Sequence, residues 1–263
     1  MSKATYSGRC IPTTYGKGAE RMRFIALAKR NFKEMIRDPL SIGFEIGIPI
    51  VFMMMFWSIG KNMGGDIFTA TMLTPAVAVF SFALLTMFSA IVLARDRQSA
   101  LLSRLLTTPL RSSDFILAYS LPYILIAILQ IGVCFAIGVL LGLEAYGNIV
   151  LVFFILLVMA ICCVGLGLIL GSIFTENQVS AVGSAVIVFA SLFSGAWMNL
   201  EMIGGLFQSI GNAFPFVHAV DAARDAISGS CFCEIAADFY WVLGYASVFF
   251  VLGILCFRWK TKG

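Results

Sequence analysis

Six stretches of this chain are long and apolar enough to cross a lipid bilayer, and that limits the fold before any motif is read. A spanning helix needs about 20 mostly apolar residues at about 1.5 Å rise each. The stretches run approximately over residues 40–60, 73–94, 115–143, 149–174, 179–199 and 239–257. A bilayer core offers no water to backbone N–H and C=O groups, so segments of this length become helices, whose hydrogen bonds close internally. Composition agrees. Of 263 residues, 60% are hydrophobic and only 12% charged, where a soluble domain carries about 25% charged residues. So few charges could not cover the surface of a soluble fold, which excludes an ordinary cytosolic enzyme, a disordered chain and a solenoid. The expected architecture is an all-α integral membrane domain of six transmembrane helices over residues 39–263, after a tail at 1–19 and a distinct segment at 20–38.

Charge placement sets the expected orientation. The formal net charge is +4, but its distribution is that of a membrane protein rather than a nucleic-acid binder. Nine of the 18 Lys and Arg residues lie in the first 39 positions, four more in residues 95–114, and Arg258, Lys260 and Lys262 in the tail. With both termini cytoplasmic, sixteen basic residues fall inside and only Lys61 and Arg224 outside. Basic loops stay on the cytoplasmic side. The first apolar run begins near residue 40, past the place of a cleavable signal, so the first span is expected to direct insertion itself.

Three segments outside the spans carry information. Over Glu20–Asp38, Phe24, Ile25, Ala28, Phe32, Met35 and Ile36 share one helical face, while Arg23, Arg30, Lys33 and Arg37 gather nearly opposite. This pattern predicts an amphipathic helix lying in the membrane interface, basic face toward anionic headgroups; packing on another protein domain is the alternative. Pro39 ends it and turns the chain into the first span. In the loop 95–114, Leu101, Leu102, Leu105 and Leu106 recur at helical spacing, Arg97 and Arg104 lie seven apart, and Pro109 stops the helix. It reads either as a ridge that docks in a partner's groove or as a helix packed on its own bundle or interface. The outer stretch 200–238 is too long for a plain loop, and its apolar content predicts two short helices dipping into the outer leaflet, broken at Pro215.

Several chemistries are missing from the sequence. There is no GxxxxGK[ST] phosphate loop, so nucleotide binding by that route is excluded. Six spans also suit an intramembrane protease, but Leu192 stands where a nucleophile elbow at Ser194 would want Gly, and the one histidine, His218, lies in the outer stretch. No series of acids and histidines lines a span, and the two halves show no evident repeat, which leaves a secondary transporter or channel without support. Two intramembrane polar residues stand out as candidates: Glu45, near enough to its span's start to reach the interface, and Gln130, suited to a helix–helix hydrogen bond. Gly167 and Gly171 form a GxxxG that is expected to pack helices within the chain. The seven cysteines form no disulfide framework or metal spacing. Cys134, Cys162, Cys163 and Cys256 sit in apolar runs, and Cys231 and Cys233 are too close in sequence for good disulfide geometry.

Taken together, these features resemble the ABC type-2 permeases, the membrane subunits of exporters related to daunorubicin-resistance permeases. The resemblance rests on the six spans, on the basic helix ending in Arg37-Asp38-Pro39, and on Arg104-Leu105-Leu106-Thr107-Thr108-Pro109-Leu110 between the second and third spans. Asn212 through Arg224, with Pro215 and His218 inside, is similar to the family's Asn-Pro…Arg stretch before the last span, although two residues here separate Asn and Pro.

The resemblance implies a division of labour. Residues 20–38 would be the connecting helix, residues 97–106 the coupling helix seated in a separate ATPase subunit, and residues 200–238 the re-entrant helices closing the outer mouth. ATP and Mg would be bound on that partner, with no cofactor on this chain. The transporter would pair two permease chains with two ATPase subunits in the cytoplasmic membrane of a prokaryote, in contact with lipid and with no nucleic acid. The family loop carries acids and a glycine where this chain has Gln98, Ala100 and Ser103. That departure points to a heterodimeric pair as an alternative to a homodimer. Many Phe and Met residues in the spans suit a hydrophobic or amphipathic cargo.

Overall fold

The computed structural model describes residues 16–63, 68–98, 112–197 and 203–262. Among these residues every regular element is helical. Helix α1 runs Gly16–Ile36, α2 Pro39–Met63, α3 Ala70–Gln98, α4 Ser112–Leu140, α5 Ile149–Ile173, α6 Glu176–Phe193, α7 Gly205–Ala213, α8 Pro215–Ser228 and α9 Phe232–Lys262. Six of them, α2 to α6 and α9, are long and apolar enough to cross a membrane.

Local chemistry sets the boundaries. Asp38 caps α2: its carboxylate accepts from the Ser41 backbone N–H at 3.3 Å and the Ser41 hydroxyl at 2.7 Å. Pro39 follows as the first helical residue, where its missing N–H costs nothing. The Asn148 side chain accepts from Val150 and Leu151 at the start of α5. Thr175 donates its N–H to the Gln178 side chain at the start of α6, 3.0 Å away. Pro215 opens α8, and Gly229, at φ 95°, closes it in the left-handed conformation that glycine adopts without strain.

Packing centres on α3. It touches α2, α4, α5, α6 and α8, and nearly all of its length from Leu73 to Ala90 is buried. Helix α5 lies between α3 and α9. By contrast α2, α6 and α9 leave most of their apolar surface open, as expected where the surrounding solvent is hydrocarbon. Small residues allow the tightest crossing: a methyl on Gly167 would meet the Thr86 carbonyl at 2.5 Å, and one on Gly171 the Ala90 carbonyl at 2.6 Å, both on α3. The GxxxG of α5 therefore joins two helices of one chain.

The ends of α3, α5 and α9 and the starts of α2, α4 and α6 gather with α1 at one end of the bundle. This basic end carries Lys29, Arg30, Lys33, Arg37, Arg95 and Arg97. The opposite end is built by α7, α8 and the start of α9, and there the backbone N–H groups of Tyr146 and Gly147 donate to Ile227.

Several boundaries differ from the hydropathy reading. Helix α9 begins at Phe232, seven residues before the apolar run at 239, because Glu234 and Asp238 lower hydropathy without breaking the helix. Helix α6 starts at Glu176 and ends at Phe193, earlier at both ends than the apolar run, since its first turn is polar and capped. The outer stretch does form two short helices hinged at Phe214-Pro215.

Candidate functional site

Helix α1 has three faces. Leu27, Ala28 and Asn31 are buried against α4 and α2. Ile25, Phe32 and Ile36, at helical spacing, are exposed. Lys29, Lys33 and Arg37 flank that exposed apolar stripe. Such a helix can pack on its own bundle and still present an apolar stripe with cations along one side, as an interfacial helix can. Arg30 departs from the basic face predicted by the sequence. Its guanidinium turns inward to Asp96 on α3 at 3.2 Å and to Glu34 at 2.7 Å. Burial is the largest single influence and lowers its proton affinity, but Asp96, Tyr119 and Glu34 together outweigh that and the net direction is up.

Asp96 is the hub of this end. The buried Tyr119 hydroxyl on α4 donates to it in a short hydrogen bond, so one carboxylate joins α1, α3 and α4. The Asn31 side chain adds a bond to the Ala118 carbonyl at 3.3 Å. On the other side of α3, Arg95 pairs with Glu176 at the start of α6 at 2.8 Å, and Arg97 donates to the Phe174 carbonyl at 3.4 Å. The final turn of α3 is thereby tied to α1, α4, α6 and the α5–α6 turn. Among charged residues, such paired and hydrogen-bonded groups are the ones a buried site tolerates.

Deeper in the bundle, Gln130 on α4 donates to the Glu45 backbone carbonyl at 2.9 Å. This is the helix–helix bond its sequence position suggested. Glu45 is 2% exposed and lines a narrow cleft between α1, α2, α3 and α4. The cleft extends to the basic end, where Asp38, Arg95 and Asp96 stand at its rim.

The opposite end has its own polar locks. His218 on α8 bridges Asp238 on α9 at 2.6 Å and the Asn212 carbonyl on α7 at 2.9 Å. Both ring nitrogens are thus occupied, and the Ser194 hydroxyl is engaged by the Ala196 N–H, an arrangement that offers no Ser–His pair. Arg224 donates to the carbonyls of Met72 and Gly195, pinning α8 to the start of α3 and the end of α6. Pro215 is buried at the hinge.

The candidates singled out from the sequence therefore separate into groups. His218, Arg224 and Pro215 come together on α8, and Glu45 and Gln130 meet across α2 and α4. Phe32, Lys33 and Arg37 line the open faces of α1. Arg97 belongs to the last turn of α3. Leu101, Leu102, Arg104, Leu105, Leu106 and Pro109 lie outside the described residues, as do the side chains of Arg23 and Phe24. Sequence reading missed Asp96, Tyr119, Asn31 and Glu176. Asp96 did carry a signal: an acid between two arginines at the end of an apolar run marks a helix end that needs partners.

The profile of the ABC-2 type transporter family matches residues 22–227, which takes in α1 to α8. The chain is 24% identical over 152 residues to the probable multidrug ABC transporter permease YbhR of Escherichia coli, covering 57% of this chain and 41% of that protein. It is 21% identical over 192 residues to YbhS of the same organism, named likewise, covering 71% and 50%. It is 24% identical over 191 residues to ABC transporter G family member 20 of Dictyostelium discoideum, covering 71% and 26%. The chain spans half or less of the length of these curated relatives. A match over most of the chain, on a six-span helical bundle with a docked basic helix before the first span, places it plainly: the chain belongs to the ABC-2 type transporter family.

Proposed function

We propose that this chain is the permease subunit of an ATP-driven exporter, with both termini cytoplasmic, in the cytoplasmic membrane of a prokaryote. Energy enters from a separate ATPase that binds ATP and Mg and docks on the segment 97–109. The observation that carries this reading is the anchoring of α3. The docking segment begins in the last turn of α3 and precedes α4, and α3 packs against α2, α4, α5, α6 and α8. A displacement of the segment is delivered to the core through a helix tied to α1, α4 and α6 by Asp96 and Arg95. Packed cores respond to such pushes by switching between discrete arrangements rather than by bending.

A pathway for cargo then forms between two permease chains, identical or paired as a heterodimer, with two ATPases below. The open apolar surfaces of α2, α6 and α9 leave room for such a neighbour as well as for lipid. The names of the two Escherichia coli relatives, with the apolar walls of the bundle, support a hydrophobic or amphipathic cargo moved outward.

The test is gentle affinity purification from the native membrane with identification of what accompanies the chain. A stoichiometric P-loop ATPase is expected, and Leu105→Asp with Leu106→Asp should release it while the permease still inserts, since insertion depends on the spans. A permease that purifies and transports without any ATPase would overturn the proposal.

A further inference from the structure

His218 stands in the first turn of α8, just past the Phe214-Pro215 hinge, and reaches in two directions. Its Nδ1 lies 2.6 Å from the Asp238 carboxylate on α9, and its Nε2 lies 2.9 Å from the Asn212 backbone carbonyl in the last turn of α7. One half-buried side chain thus joins three helices. Both partners are acceptors, since an ionised carboxylate and a carbonyl have no proton to give. A neutral imidazole has one N–H and can answer only one of them; its other nitrogen then turns a lone pair toward an oxygen. The imidazolium has two N–H groups and answers both. The Asn212 carbonyl also sits at the end of a helix, where carbonyls lack intrahelical partners and the dipole favours a cation. The start of α8 opposes a cation at His218, but a charge-assisted hydrogen bond of 2.6 Å is the closer and stronger influence.

The surroundings leave His218 as the proton-dependent member of this junction. Around it α8 carries Asp221, Arg224 and Asp225, and α9 carries Glu234 and Asp238, while Glu144 on the connection before α5 is bonded by Tyr146. Helices α3 and α6 also pack on α8, but their charged residues, Arg95, Asp96, Arg97 and Glu176, belong to the basic end; α5 brings only Cys162 and Cys163, and α7 no titratable group. Arg224 is turned to the Met72 and Gly195 carbonyls. Burial pushes the Asp221 carboxyl up to about 6, against the pull of Arg224. Helix α7 has nine residues, too few to hold a helix without tertiary support. Its ties are Phe207 stacked on Phe193 of α6 at 4.4 Å, the Tyr245 hydroxyl donating to the Ala213 carbonyl at 2.7 Å, and His218. Of these three, His218 is the one whose number of donors a proton changes near neutral pH.

We propose that His218 is a proton-dependent latch: as the imidazolium it fastens α7 to α9 across the hinge, and loss of its proton releases one of the two ties and loosens α7. The latch goes beyond the exporter reading and needs no ATPase; only the compartment whose pH it senses depends on the orientation.

Hydrogen exchange of the full chain in nanodiscs, read by mass spectrometry at pH 5 and pH 9 as protection relative to intrinsic exchange rates, tests it. Residues 205–213 should be about tenfold better protected at pH 5, the worth of about one hydrogen bond, while residues 149–173 of α5 stay unchanged. His218→Gln, whose amide does not titrate, should abolish the difference. Asp238→Asn gives a second and opposite signature. Its amide can donate to a neutral Nδ1 while Nε2–H donates to Asn212, so α7 should be well protected at both pH values. That variant decides the matter if His218→Gln fails to fold. Equal protection of α7 at both pH values in the unaltered chain would overturn the inference. So would a difference that persists in His218→Gln, which would assign it to Asp221, or an equal change over residues 149–173, which would mark a general loosening. Protection in Asp238→Asn as weak at pH 9 as in the unaltered chain would overturn it as well. No outcome turns on a co-purifying ATPase, so failure of the latch leaves the exporter reading standing.

Discussion

Gly167 and Gly171 sit one turn apart on α5, where its backbone meets α3 at Thr86 and Ala90. In lipid there is no hydrophobic drive between helices, so association depends on close packing and hydrogen bonds. The Thr86 hydroxyl uses the proximity that glycine permits and donates to the Cys163 carbonyl at 3.0 Å. Gly167→Ala should therefore lower the midpoint of thermal unfolding in detergent, costing about 1–3 kcal/mol for the backbone shift that the methyl forces. Gly132 on α4 is the control. A methyl there meets nothing within 4 Å, so Gly132→Ala should leave the midpoint unchanged or raise it slightly by helix propensity. Equal loss in both variants would mean that the α3–α5 crossing does not depend on close approach. The sequence carried this contact as a spacing. It marked Asp96 as an acid between two arginines but gave no sign of its partners, because Arg30 and Tyr119 lie 66 and 23 positions from it and only the fold makes them neighbours.

Elements were legible where one environment dictates them. The six spans follow from length and hydropathy, because hydrocarbon imposes a single requirement on every residue of a span. Helix α1 was legible only in part, since it answers to three environments at once: protein at Leu27 and Asn31, the apolar stripe at Phe32 and Ile36, and polar surroundings at Lys29 and Lys33. A two-faced wheel assigns Arg30 to the open side, but tertiary packing takes it inward to Asp96. The start of α9 was missed for a related reason: Asp238 looks like loop until His218 pairs with it. The junction of α1 and α2 offers a test at this scale. Asp38 caps α2 through Ser41, and the same two hydrogen bonds hold its carboxyl below the usual range. A depressed value means that the stabilisation is present above the ordinary carboxylate range and is lost as pH falls through the lowered one. Asp38→Ala should cost about 1 kcal/mol, the usual worth of a cap, at neutral pH and much less in strong acid. Asp38→Asn, which can still accept, should recover most of it. A deficit of the same size at every pH would show that the charge has no part in the cap.

The molecule as a whole is electrically lopsided, and that asymmetry sets the orientation expected of it. The basic end gathers α1 with Arg95 and Arg97, whereas the opposite end keeps Lys61 and Arg224. Arg224 is spent on the Met72 and Gly195 carbonyls, which leaves the opposite end still poorer in free positive charge than a count of residues implies. Cysteine placement allows this to be read in an intact cell. Cys231 and Cys233 are exposed at the α8–α9 turn on the opposite end, whereas Cys134, Cys162 and Cys163 are buried inside the bundle. If the basic end faces the cytoplasm, a membrane-impermeant maleimide added to intact cells should label the chain, and Cys231→Ser with Cys233→Ser should abolish the signal. Labelling that survives Cys231→Ser with Cys233→Ser, or that these two cysteines give only after the membrane is opened, would reverse the orientation. It would also place the segment after Gln98 on the side where no ATP is found, and the coupling proposal would fall with it. Labelling from outside would place the end of α3 at Gln98 on the nucleotide side, where a force applied by an ATPase would enter the most deeply buried of the described spans.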